Sequence, residues 1–238
     1  MRIAENIEKK GMSVCNGGEF CNAITDAIVE RKPKTLIETG TYFGTGTTMC
    51  ILSALKIAHE RSDLWSFVSI EVNPSFCEMA KMNLNGAGYF DRDVHISNAL
   101  TIPRGMLPSV GEIGRRLVDN ERDWNPDVVV DHQPDVRAKY YHRETNFSVD
   151  DDFLKLSIET FNYVPEFVLL DSGGHIGSIE FDIFSNFVNG KCILALDDIN
   201  HVKHANSFSR IKKDSRFKIL SVGTEKYGWC VSEFDPNR

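Results

Sequence analysis

The chain lacks any apolar stretch approaching the roughly 20 residues a membrane helix needs. Its opening, MRIAENIEKKGMS, also lacks the apolar run of a secretory leader. A soluble protein of the cytoplasm with no membrane partner is therefore expected. Clustered Lys and Arg are missing too. With 27 Lys+Arg against 34 Asp+Glu and a net charge of −7, there is no basic run to neutralise phosphates, which argues against nucleic acid and toward a small-molecule partner. The six cysteines (Cys15, Cys21, Cys50, Cys77, Cys192 and Cys230) form no C-x-x-C pair. Neither a zinc site nor a disulfide framework is indicated, and reduced, mostly buried thiols are the expectation. Internal repeats and low-complexity stretches are absent as well, so organisation has to be read from local patterning.

That patterning is an alternation of apolar runs with helical segments. The 238 residues, 42% hydrophobic, suffice for one domain with a sizeable core. Residues 35–39 (TLIET) run into Gly40, and Thr45 to His59 has helical periodicity. Residues 67–71 (FVSIE) lead through Asn73-Pro74, a polar cap with Pro in the first turn, into a helix carrying Phe76, Met79, Ala80 and Leu84. Further runs are Val94 to Ser97, Phe167 to Asp171 followed by a helix over Ile176 to Phe187, and Cys192 to Leu196, which ends in Asp197-Asp198. A polar helix near 202–213 and two strands, 217–222 and 227–234, complete the chain. Continuous apolar strands alternating with helices belong in a parallel sheet covered on both faces. The expected fold is α/β, a doubly wound, mostly parallel seven-stranded sheet closed by a C-terminal antiparallel hairpin. Residues 1–30 are expected to form an N-terminal helical cover. Residues 102–150 break the alternation. They are expected to be an insertion or lid over the cleft with a helix near 109–119; a disordered excursion is the alternative, against which stand Trp124, Tyr140, Tyr141 and Phe147.

In an open parallel sheet, ligands bind beyond the C-terminal strand ends at the switch point of strand order. The first such end reads Glu38-Thr39-Gly40-Thr41-Tyr42-Phe43-Gly44-Thr45. Gly40 and Gly44 permit a tight turn and close backbone approach, and the next helix offers free N–H groups; an ordinary strand-to-helix turn would read the same way. Glu71 ends the second strand, where a carboxylate can accept two hydrogen bonds from a ribose. It lies 31 residues after Gly40, later than the roughly 20 of the nicotinamide fingerprint.

Taken in order, ETGTYFGTGTT, SIEVNP, SNAL, VLLDSGGH and LALDDINH resemble the successive motifs of class I S-adenosylmethionine-dependent methyltransferases. They are most similar to the metal-dependent O-methyltransferases of the catechol and macrocin types. The resemblance spans most of residues 16–210 outside the insertion and implies a Rossmann-like methyltransferase fold. On it, the turn around Gly40, Tyr42 and Gly44 would hold the methionine part of S-adenosylmethionine, Glu71 the ribose, and Asn98-Ala99 the adenine edge, with Glu38, Thr45 and Asp171 also binding the cofactor. The N-terminal GGEF, Gly17 to Phe20, falls where relatives cover the methionine end.

Asp171 ends the fourth apolar run, and Asp197 and Asp198 end the fifth. Neighbouring strand tips converge, so three carboxylates would meet and repel unless a cation joined them. Hard oxygen donors suit Mg²⁺, with Mn²⁺ or Ca²⁺ as substitutes; helix capping is the competing role, above all for Asp198. The resemblance implies the same ligands, with Asp198 standing where catechol-type enzymes have Asn and macrocin-type enzymes Asp. Catechol-type enzymes carry Lys three residues beyond the first Asp, whereas Gly174 stands there and His175 follows. His201 and His175 are then the expected bases beside Asp171, with His204 either lining the same edge or an ordinary surface residue. The expected activity is metal-assisted methyl transfer to a hydroxyl of a small molecule or sugar. A cephalosporin hydroxylase-like metal enzyme or a non-catalytic cofactor-binding protein are the alternatives, and an insertion packed on a neighbouring subunit would make the protein a homo-oligomer.

Overall fold

A computed structural model describes residues 18–60, 64–112, 141–173 and 175–238. In chain order the elements are α1 (Glu19–Arg31), β1 (Thr35–Thr39), α2 (Thr47–Ala58), β2 (Ser66–Glu71), α3 (Pro74–Gly86), β3 (His95–Asn98), a 3₁₀ turn (Arg104–Met106), α4 (Phe153–Thr160), β4 (Phe167–Leu170), α5 (Gly177–Phe187), β5 (Cys192–Asp197), α6 (Ala205–Ile211), β6 (Phe217–Gly223) and β7 (Trp229–Phe234). The start signal at Asn73-Pro74 works through its side chain, which accepts the Ser75 N–H at 3.0 Å.

The seven strands lie in the order β3-β2-β1-β4-β5-β7-β6. The first five pair in parallel, and β7 runs antiparallel to both β5 and β6. This is the doubly wound, mostly parallel seven-stranded sheet with a C-terminal antiparallel hairpin that the patterning predicts, with the order reversing between β1 and β4. Strand alternation splits the core in two. Leu36, Phe67, Leu169, Ile193 and Ala195 face α1, α2 and α3. Ile37, Ile70, Val168, Leu194 and Leu196 face α4, α5 and α6. Every residue of β4 and β5 is buried, and each such Leu or Ile contributes about 1.5–3 kcal/mol. That rigid centre carries the two strand tips with the acidic residues.

The described ends of the 102–150 segment are tied together. Ala99 bridges to Asp150, the Leu100 N–H donates to the Asp150 carbonyl at 2.8 Å, and the Arg104 N–H donates to Asp151 at 2.7 Å. The Arg104 guanidinium also donates to the carbonyls of Thr145, Phe147 and Val149. Residues 110–112 and 141–145 are helical. The remainder of the helix near 109–119, together with Trp124 and Tyr140, lies outside the described residues, as do residues 1–17 of the N-terminal cover.

The expectation of reduced thiols is corrected at one pair. Cys21 on α1 and Cys50 on α2 form a disulfide, their Cα atoms 5.8 Å apart. The two lie 29 residues apart and match no spacing motif; they meet because the Phe20, Ile24 and Ile28 face of α1 packs against Ile51, Leu52 and Leu55 of α2. Cys77, Cys192 and Cys230 are free and buried, as expected. Among the described residues, no helix is long and apolar enough to cross a membrane.

Candidate active site at the strand tips

The turn after β1 is built around a carboxylate. Glu38 is fully buried, and its oxygens accept from the hydroxyls of Thr47, Thr48 and Ser69, all at 2.6 Å. Burial nevertheless raises its pKa to about 7, with the three hydroxyls pulling the other way. Gly40 has φ +82°, and a Cβ there would fall well inside contact distance of the Asp171 backbone carbonyl. The turn therefore runs directly against the tip of β4, across the switch point. Tyr42 also takes a positive φ of 53° and directs its N–H to the Glu71 carboxylate at 2.7 Å. Its ring packs with Phe43 and Phe76. Gly44, at φ +68°, sits on Ala80 and Leu84 of α3. Thr45 is exposed in the turn, since α2 begins two residues later, at Thr47.

Glu71 also accepts the Asn73 N–H at 2.9 Å. Burial raises it to about 7, opposed by these two N–H bonds and reinforced by Glu144 and Glu38. Asn98 uses its side-chain amide to bridge the carbonyls of Glu71 and Val72 at 2.9 and 3.1 Å. Ala99 is buried, its N–H donating to the Glu71 carbonyl at 3.1 Å. Glu71, Asn98 and Ala99 thus form one corner of the strand-tip crevice.

Asp171, Asp197 and Asp198 come together as the convergence of β4 and β5 requires. One oxygen from each lies within 4.8 Å of the others, making them a candidate metal-binding cluster. Asp171 and Asp197 are pushed up, first by burial; Asp197 goes well above the usual carboxylate range, with Asp171 and Asp198 adding repulsion. Burial pushes Asp198 the same way, but the neighbouring Lys203 outweighs it and holds that carboxyl low.

Lys203 is the group that the sequence patterning had not singled out. Its ammonium lies 2.6 Å from Asp171 Oδ1 and 2.8 Å from Asp198 Oδ2, and the residue is only 4% exposed. The chain after β5 turns sharply to bring it there. Asp198 has φ +59°, a left-handed conformation that Asp tolerates better than most residues. The Ile199 and Asn200 N–H groups then donate to the carbonyls of Gly228 and Tyr227 at 3.0 and 2.8 Å. The oxygens of the trio suit a hard divalent ion, but the set as folded does not: an ion bridging Asp171 and Asp198 would have to share their contact with the Lys203 ammonium. The lysine three positions beyond Asp171 in catechol-type enzymes has no counterpart at Gly174, which lies outside the described residues. An ammonium reaches the same aspartate from the next strand's loop instead.

The histidines separate in the structure. The His201 Nδ1 accepts the Lys203 N–H at 3.3 Å, its ring lies 5.1 Å from that of Tyr227, and it acts on the Asp198 charge. His175 is buried with its ring edge-on to Tyr141, at 5.8 Å. His204 is neither a lining residue nor a surface one. It is fully buried, Nε2 lies 3.2 Å from the Leu170 carbonyl and Nδ1 3.3 Å from the Ser207 hydroxyl, and burial holds its pKa near 3. Residues 141–145 pack between the two sides of the site: Tyr141 meets His175 and donates to the Pro108 carbonyl at 2.7 Å, while Glu144 accepts from the Asn73 amide.

No protein-family profile and no curated protein matches the chain in sequence. Solved structures do match in fold. A methyltransferase from Geobacter sulfurreducens superposes with a TM-score of 0.58 at 10% identity, over 98% of this chain and 87% of that one. An O-methyltransferase from Bacillus cereus, solved with SAH, gives 0.52 at 12% over 90% and 80%. The O-methyltransferase TomG from Streptomyces achromogenes, involved in tomaymycin synthesis and solved with SAM, gives 0.53 at 13% over 90% and 79%. At such identities the likeness is one of fold.

Proposed function

We propose that the protein is an S-adenosylmethionine-dependent methyltransferase acting on a hydroxyl of a small molecule or sugar. One observation carries this: Gly40 lies against the Asp171 carbonyl, so the turn suited to the donor and the acidic trio suited to an acceptor share one crevice. Glu71 and the Asn98-Ala99 corner take the nucleoside, and the turn from Glu38 to Thr45 takes the amino-acid end. The acceptor hydroxyl lies against Asp171, and its oxygen attacks the methyl carbon as the carbon–sulfur bond breaks. The sulfonium leaves as a neutral thioether, and the hydroxyl proton passes to a side chain. His201, beside Asp198, is the base for that step, with His175 behind it; orientation of the two reactants supplies most of the acceleration.

Calorimetric titration with S-adenosylhomocysteine tests the donor site, with one molecule bound per chain and binding lost in Glu71→Ala as the expected result. A panel of hydroxylated acceptors with labelled donor tests turnover. Failure of the wild-type protein to bind either form of the donor would sink the proposal.

A further inference from the structure

We propose that the Lys203 ammonium is the resident cation of the Asp171, Asp197 and Asp198 trio, and that a divalent ion enters only by displacing it. The inference rests on the methyl-transfer reading insofar as it takes the trio as the acceptor end of the site.

Four features show a seat built for this side chain. The head touches two of the three carboxylates, at 2.6 and 2.8 Å, in a residue almost wholly withdrawn from water. Burying an ammonium is tolerated only when it is paired in this way. The stem passes over the start of α5 at Gly177, where any Cβ would collide with Lys203 Cγ, with the Lys203 carbonyl and with the His204 ring. His204 anchors the segment from the other side, one ring nitrogen at the Leu170 carbonyl and the other at Ser207. The left-handed Asp198 and the bonds from Ile199 and Asn200 to the β6–β7 turn set the path that returns Lys203 to the strand tips. A surface lysine folding casually onto an acidic patch requires none of these. A divalent ion and an ammonium compete here for the same oxygens, so one excludes the other.

The test is Mn²⁺ binding by electron paramagnetic resonance on the full chain after treatment with EDTA, comparing wild type, Lys203→Met and Lys203→Arg. Lys203→Met is expected to gain one Mn²⁺ per chain with affinity roughly tenfold or more above wild type, while Lys203→Arg, which keeps the cation, gains nothing. If circular dichroism shows Lys203→Met unfolded, Lys203→Gln, which removes the charge and keeps a polar end, is expected to show the gain instead. A single Mn²⁺ site as tight in wild type as in the variants overturns the proposal, because Lys203 would then sit beside an ion and not in its place. A parallel titration with S-adenosylhomocysteine keeps the two claims apart. Loss of donor binding in every form, wild type included, would defeat the methyl-transfer reading while leaving the Mn²⁺ comparison to decide the role of Lys203.

Discussion

The two halves of the strand-tip crevice both bury carboxylates, and they compensate them differently. On the β1–β2 side, neutral groups do it: Glu38 is ringed by the hydroxyls of Thr47, Thr48 and Ser69, and Glu71 takes backbone N–H groups from Tyr42 and Asn73. On the β4–β5 side a charge does it, through the Lys203 ammonium between Asp171 and Asp198. Neutral donors leave both glutamates titrating near 7, so that half can shed its charge by taking up a proton. In the other half Lys203 holds Asp198 charged, and a buried ion pair is worth little until one partner is removed, when the survivor becomes costly.

Breaking the charged half should have the largest effect. Asp171→Ala leaves Lys203 half-paired and is expected to cost about 3–5 kcal/mol in urea unfolding and to abolish methyl transfer; a loss smaller than that of an ordinary surface substitution would contradict the comparison. Next comes the seam between the halves. Gly40→Ala forces a Cβ into the Asp171 carbonyl at a positive φ, for an expected cost of about 1–3 kcal/mol, and donor affinity should fall with it.

The neutral half is sharpened by pH. Glu38 titrates near 7 in the folded protein against an ordinary 4.5, so between those values the native state holds a proton that the unfolded chain releases, and the contribution to stability falls as pH rises. Glu38→Gln removes that slope, and its melting temperature relative to wild type should climb from pH 5 to pH 8. A constant offset would mean that Glu38 does not titrate in this window. The acid side is set by His204, whose pKa near 3 against 6.5 has the opposite sign: the unfolded chain binds the extra proton, and stability is lost as pH falls below 6.5. His204→Gln should flatten the acid limb of the melting profile, and an unchanged limb would place the acid sensitivity elsewhere.

The neutral half was the more legible in the sequence. Glycines in a turn, an acid at a strand end and an Asn-Pro helix start are local signals, and Gly40, Glu71 and Asn73 carry them where patterning places them. The strand ladder was legible for a similar reason, since β4 and β5 are buried along their whole length and read as unbroken apolar runs. What escaped is non-local. Cys21 and Cys50 meet only because two helices pack face to face, and His204 read as lining the site's edge or as an ordinary surface residue, although it is fully buried. Lys203 follows Asp198 by five residues, at no spacing that marks a pair on a helix or a strand; the left-handed turn at Asp198 makes the contact. The one available signal was arithmetic: three convergent acids with a single lysine in the loop that follows them.

The tight packing above Gly177 sets what that position can become. A side chain at 177 would meet the stem of Lys203, the backbone carbonyl of that residue and the ring of His204, so shortening the lysine relieves only one of three collisions. Across divergent sequences, glycine should therefore persist at 177 even where 203 is no longer lysine.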